Sequence, residues 1–175
     1  MQRTNLLQQS ALGTFADRYR KYPVILVCLL LLVGHSFTAN AQVKKALPKE
    51  FKKIVFGMSL EQFADRRQTA QPNKLTKESF RYAWMETFAE EEPIHTAKFY
   101  FSDKEEKPLY EVILFYRDLR ARDNWLEKYF GTPNFKNNTE WELVTKKGQQ
   151  IRAWRYEDRL VITALLPGTE WEDRK

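Results

Sequence analysis

The sequence predicts an α+β domain, an antiparallel β-sheet with helices packed on one of its faces. Three observations predict it. Aromatic residues make up 14% of the 175 positions and fall in short runs that alternate with polar residues. Those runs are joined by short, charged, turn-forming links, and only two segments carry the apolar spacing of a helix.

The start of the chain reads as an export signal. The run "VILVCLLLLVGHSFTANAQ" (24–42) has an apolar core of ten residues, Val24 to Val33, whereas a membrane-spanning helix needs roughly 20. Arg18, Arg20 and Lys21 precede it, and Ala39-Asn40-Ala41 supplies the small residues read by a signal peptidase. Residues 1–41 are therefore expected to be a signal peptide cut between Ala41 and Gln42, leaving a periplasmic or secreted protein. The alternative is a retained anchor, which the long polar stretch Met1 to Tyr22 would suit. Cys28 is the only cysteine, and Val27 stands before it where a lipoprotein signal wants a small residue.

The mature chain, residues 42–175, has a length of 134 that suits one core and not two. The full chain carries 29 Lys and Arg against 23 Asp and Glu, net +6; without the leader's four cations and one anion these become 25 against 22, net +3. Much of the basic character thus leaves with the signal, and a nucleic-acid partner is not expected. Loss of Cys28 also removes disulfides, thiol nucleophiles and cysteine metal sites.

Residues 42–50 read as a basic linker, 51–168 as the domain and 169–175 as a tail. In "FGMSLEQF" (56–63), Ser59 and Gln62 form a capping box, and Leu60, Phe63 and Ala64 an apolar stripe, so a short helix starts here. Three strands come next. In "FRYAWMETF" (80–88), Phe80, Tyr82, Trp84 and Phe88 share a face; in "IHTAKFYFS" (94–102), Ala97, Phe99 and Phe101 do; in "LYEVILFYR" (109–117), Tyr110, Val112, Leu114 and Tyr116 do. The last has a second apolar face in Leu109, Ile113 and Phe115, which predicts a strand inside the sheet. "AEEEP" (89–93) and "DKEEKP" (103–108) are short, Pro-closed links that favour hairpins. A second helix lies within "RDLRARDNWLEKYFGTPN" (117–134), where Trp125, Leu126, Tyr129 and Phe130 form its stripe and Gly131 and Pro133 its stop. "TEWELVT" (139–145), "QIRAWRY" (150–156) and "LVITALL" (160–166) complete six strands.

The two halves, 51–117 and 118–168, read as diverged repeats of one helix and three strands, although any meander of this class gives some echo. Gly57-Met58-Ser59 opening a helix, Phe130-Gly131-Thr132-Pro133 closing one, and a following strand with Trp141 resemble the β-lactamase-inhibitor-protein-like superfamily. That group includes small outer-membrane lipoproteins of the β-barrel assembly machinery. The resemblance implies an exported protein with helices layered on an antiparallel sheet, acting by binding other proteins; some members inhibit β-lactamases and others stabilise membrane-protein complexes. The chain departs from the family in two respects: the opening and closing motifs lie about seventy residues apart, and no lipidated cysteine follows the signal. The two glycines stand on their own as sources of backbone freedom at helix boundaries.

Catalytic chemistry has little to stand on. His95 is the only histidine after the leader, so two-histidine zinc sites and a Ser-His-Asp array have at most one base. Glu90, Glu91 and Glu92 beside His95 lack the glycine and spacing of a calcium loop. Glu86, Glu111, Glu140 and Glu142 lie on strands, where a carboxylate pair across a cleft could serve glycoside hydrolysis. No Gly-rich phosphate loop occurs. No catalytic residue, metal or cofactor is expected.

Binding has more. Lys44, Lys45, Lys49, Lys52 and Lys53 form a basic segment able to touch an anionic membrane surface weakly. Arg152, Arg155 and Arg159 alternate with Trp154 and Tyr156, a mix that would suit stacking on single-stranded nucleic acid or an anionic glycan but reads first as core or cross-strand packing. Trp171, in an acidic tail, either pins the terminus or anchors a partner. The expected function is non-catalytic binding of another envelope or secreted protein, in envelope assembly or hydrolase inhibition. Its candidate surface is Trp125, Trp141, Trp154, Tyr156, Arg152 and Trp171. The alternative is a small-ligand carrier with an aromatic pocket between sheet and helices, lined by Tyr82, Trp84 and Phe99; a third is an enzyme using the strand glutamates.

Overall fold

A computed structural model of the chain describes residues 42–43, 45–67 and 74–172. The predicted leader and its cleavage site lie outside the described residues, as does Lys44. No described helix is long and apolar enough to cross a membrane.

The strands are β1 (Gln42–Val43), β2 (Lys74–Glu78), β3 (Arg81–Thr87), β4 (Ile94–Ser102), β5 (Leu109–Tyr116), β6 (Glu140–Thr145), β7 (Gln150–Tyr156) and β8 (Arg159–Ala164). A 3₁₀ turn, Lys49–Phe51, and helix α1, Leu60–Arg66, precede β2, and helix α2, Leu119–Phe130, joins β5 to β6. All eight strands form one sheet in the order β1-β6-β7-β8-β5-β4-β3-β2. Every pairing is antiparallel except that of the two-residue β1 with β6. The fold is thus the predicted α+β class, with its six strands in place, and the meanders β3-β4-β5 and β6-β7-β8 meet last strand to last strand at β5 and β8.

β2 was not legible. "KLTKE" has one apolar residue, Leu75, and pairs only with β3 as an edge strand, where lysines discourage further pairing instead of filling a core.

Both helices start and stop where their caps dictate. Gly57 takes φ +85°, a turn that a side chain would strain, and Ser59 then caps α1. Ser59 Oγ accepts from the Gln62 N–H at 3.1 Å while Gln62 Oε1 accepts from the Ser59 N–H at 3.3 Å. At α2, Asp118 Oδ1 accepts from the N–H groups of Arg120 and Ala121 at 2.9 and 3.2 Å. The helix ends at Gly131, φ +72°, whose N–H reaches the Leu126 and Glu127 carbonyls.

Helices cover one face of the sheet. Phe63 of α1 seats its ring 5.3, 4.7 and 5.2 Å from those of Trp84, Phe99 and Phe101, in the edge-on and tilted geometries that aromatic quadrupoles favour. Phe51 adds a contact to Phe99 at 5.5 Å. Leu126 and Phe130 of α2 enter the same core, and α2 lies against β5. Of the three aromatics read as lining a ligand pocket, Phe99 is fully buried and Tyr82 and Trp84 pack on the core, Trp84 also bordering an open cleft of about 640 Å³ beside α1.

Three expectations change. Phe80 does not share the face of Tyr82 and Trp84, because it stands exposed in the turn between β2 and β3. Tyr110 is not on the face of Val112 and Leu114: Tyr100 pairs with Glu111 but Phe101 with Leu109, so Tyr110 is an extra residue, and the bulge turns it to the other side. Nor are residues 45–50 a free linker, since Leu47 is buried in the core and β1 pairs with β6.

Candidate functional site

The sheet face away from the helices is built from three rows of paired residues. The first crosses Thr76, Ala83, Tyr100, Glu111, Thr163, Arg152 and Glu142; the second Met85, Lys98, Ile113, Val161, Trp154 and Glu140; the third Thr87, Thr96, Phe115, Arg159 and Tyr156. The three rows differ in what covers them.

The chain's own C-terminal segment covers the first row and part of the second. After β8 it folds back over the sheet, with Leu166 and Trp171, like Ile113, packed against the cluster of Ala83, Tyr100 and Tyr110. The Trp171 ring lies 5.2 Å from that of Trp154. Beneath it, Arg81 is held 3.2 Å from Glu170, 3.5 Å from Glu111 and 2.8 Å from Glu78, with its guanidinium 3.8 Å from the centroid of Tyr100. The Tyr110 hydroxyl donates to Glu170 at 3.1 Å. Burial raises Tyr110 above the ordinary phenol range, an effect that the nearby Arg81 only partly offsets. Of the two readings of Trp171, the geometry is that of a residue pinning the tail to the sheet.

The third row remains open, and its residues converge. The Arg159 guanidinium lies 5.2 Å from the Phe115 centroid and 5.6 Å from that of Tyr156. Lys98 Nζ stands 5.9 Å and the His95 ring 5.8 Å from Phe115. Tyr156 is 56% exposed. His95 is there because of a second bulge: Ile94 pairs with Tyr116 and Thr96 with Phe115, leaving His95 as the extra residue on the open side. Its Nε2 is 3.7 Å from Asp158, and Nδ1 is 3.0 Å from the Thr96 hydroxyl. Arg159 Nε is buried and makes no hydrogen bond among the described residues, its distance to Asp158 being 3.6 Å. Phe115, His95 and Arg159 were missed as a group by sequence reasoning. They come from three strands, and only the register of β5 with β8 and the bulge in β4 bring them together.

The residues predicted as a contact surface divide between the two faces. Trp141 is 3% exposed on the helix side, with its indole N–H donating to the Gly131 carbonyl at 2.9 Å. It is a core residue that ties down the end of α2 and is withdrawn as a contact residue. Trp125 is half-buried on α2 against Tyr129 and Phe130. Arg152 is also buried, 3.0 Å from Glu142 and with its guanidinium 4.3 Å from the Phe135 centroid. Trp154, Tyr156 and Trp171 do stand on the open face, and of these Tyr156 is the exposed one.

The strand glutamates do not face one cleft. Glu86 points to the core side, where Arg67 holds it in a two-toothed pair and Trp84 donates to it at 3.1 Å, whereas Glu111 lies on the open face under Trp171. Glu140 is 3.2 Å from Lys136. Among the described residues, no three His, Cys, Asp or Glu side chains converge as a metal site. Compared with protein-family models, curated proteins and solved structures, the chain matches none.

Proposed function

We propose that this is an exported, non-catalytic protein-binding domain, and that its contact surface is the open third row of the sheet: His95, Phe115, Tyr156 and Arg159. The carrying observation is the aromatic and cationic cluster at that row, half-buried but for the exposed Tyr156, on a face whose first row and part of whose second are covered by the chain's own tail. Arg159 lies beside the Phe115 and Tyr156 rings and 3.8 and 3.6 Å from the carboxylates of Glu157 and Asp158, loose pairs for which a partner's carboxylate would compete, and Tyr and Arg are enriched among the residues that dominate interfaces. The resemblance of the helix-boundary motifs to the β-lactamase-inhibitor-protein-like superfamily supports the same reading, with envelope assembly or hydrolase inhibition as the process.

The test is purification of the tagged protein from its cell envelope, with mass spectrometry of the chain and of whatever accompanies it. A chain beginning at Gln42 with a stoichiometric protein partner is expected, and Tyr156→Ala combined with Arg159→Glu should release that partner while leaving the unfolding midpoint in place. Retention of the partner by the double variant would remove the third row from consideration. A chain that starts at Met1 in the membrane fraction would overturn the export reading.

A further inference from the structure

A second surface, remote in kind from the aromatic row, is a half-open groove of about 510 Å³ between residues 45–56 and the β6–β7 turn. Its floor is hydrocarbon: Leu47, Phe51, Ile54 and Phe56 present their inner sides to it and are themselves anchored in the core. Val55 stands at the lip, 46% exposed. The rim is cationic, formed by Lys45 and Lys52 on one side and Lys146 and Lys147 on the other, all exposed. Among the described residues, no carboxylate lines the groove.

Both walls are built firmly. The 3₁₀ turn is closed by hydrogen bonds from Phe51 N to the Pro48 carbonyl and from Ile54 N to the Phe51 carbonyl, at 2.9 and 2.8 Å. The β6–β7 turn is closed by Gly148 N to the Thr145 carbonyl at 2.9 Å. The Gln149 side chain reaches across to the Phe56 carbonyl at 3.5 Å and links the two. The volume falls in the roughly 300–1,000 Å³ range of small-ligand sites.

We infer that this groove binds a single-chain anionic amphiphile, a long-chain fatty acid or a chemically equivalent molecule. The hydrocarbon chain lies along the Leu47 and Ile54 floor under Val55 at the lip, and the anionic head meets the lysine rim. Each half of the site asks for one half of such a ligand. Burying a hydrocarbon chain on the floor removes apolar surface from water on both sides. The four rim lysines bring positive charge to a groove with no carboxylate among its described lining residues, and a bound anion offsets that charge where water is partly excluded. Lysine stems are long enough to keep to the apolar wall while their heads gather on one headgroup. Lys45 and Lys52 belong to the segment whose sequence suggested contact with an anionic surface; the groove turns that general attraction into a site with a defined second half.

The experiment is calorimetric titration of the purified chain with laurate below its micelle concentration, with dodecanol as the uncharged twin. The expected result is one saturable site for laurate and binding of dodecanol weaker by about ten-fold or more. Val55→Asp should abolish laurate binding, and Lys52→Glu with Lys147→Glu should weaken it by about ten-fold; Lys128→Glu, on the exposed side of α2, should leave it unchanged. Equal binding of laurate and dodecanol, survival of binding in both groove variants, or no saturable binding would each overturn the inference. So would association only with phosphatidylglycerol vesicles and not with laurate, which would make the lysines a membrane-surface patch. The Arg159→Glu variant should bind laurate normally, which keeps this site distinct from the aromatic row.

Discussion

The indole N–H of Trp171 donates to the carboxylate of Glu111 at 3.0 Å, joining the C-terminal tail to the central strand β5 across 60 positions of sequence. Glu111 is buried and also lies 3.5 Å from Arg81. A buried carboxylate needs partners on every side, so the tail completes a polar cluster that the sheet alone leaves partly open.

Trp171→Phe should keep the ring against Trp154 but lose the hydrogen bond, costing about 1–2 kcal/mol. Trp171→Ala should cost more, since the contact with Trp154 goes as well. Urea unfolding of the three proteins checks the order, and unchanged midpoints would mean that the tail contributes nothing to stability.

Arg67 and Glu86 form a pair on the core side, with Glu86 2% exposed. Removing the cation in Arg67→Met should destabilise by about 3–5 kcal/mol, because the carboxylate stays buried without its charge partner. Arg67→Met with Glu86→Leu should recover most of that loss. A double variant no better than the single would show that the cost lies in packing of the arginine stem on Phe51, whose ring centroid is 5.4 Å from the guanidinium carbon.

Tyr100, Tyr110 and Tyr116 are all buried, and burial is the leading cause raising each above the ordinary phenol value. A group raised in the folded state contributes stability that is fully present below its unfolded pKa, about 10 for tyrosine, and is lost as pH climbs beyond that. Stability should therefore hold up to about pH 10 and then fall by up to about 1.4 kcal/mol per pH unit per tyrosine. Absorbance titration of phenolate should show these three ionising only as the chain unfolds, and Tyr116→Phe should flatten the alkaline loss. Full ionisation of every tyrosine in the folded protein would contradict their burial.

Asp118 caps α2 through two backbone N–H groups. Asp118→Ala should cost about 1 kcal/mol and Asp118→Asn much less, since asparagine caps nearly as well. Thermal unfolding distinguishes them; equal losses would assign the effect to charge.

Local signals were legible wherever they depended on neighbours in sequence. Ser59 with Gln62, and Gly131 with Pro133, mark helix ends within a few residues. The six aromatic and β-branched runs mark strands because alternation is a property of one chain segment. β2 carried no such signal, its Leu75 and Lys77 standing exposed on an edge strand.

The sequence by itself determined the α+β class, the two helices with the cap that starts the first and the glycine that stops the second, and six of the strands, because caps, turns and period-2 alternation act over a few bonds. Tertiary structure alone decided which aromatic faces which side. The extra residues His95 and Tyr110 reverse local alternation, Trp141 sinks beneath the end of α2, and the pairing of β5 with β8 sets Phe115 beside Arg159. That pairing joins segments more than forty residues apart. Its register is fixed by the burial of Leu114 with Leu160 and Val112 with Ile162 on the opposite face, where a slip of one residue would turn the core outward.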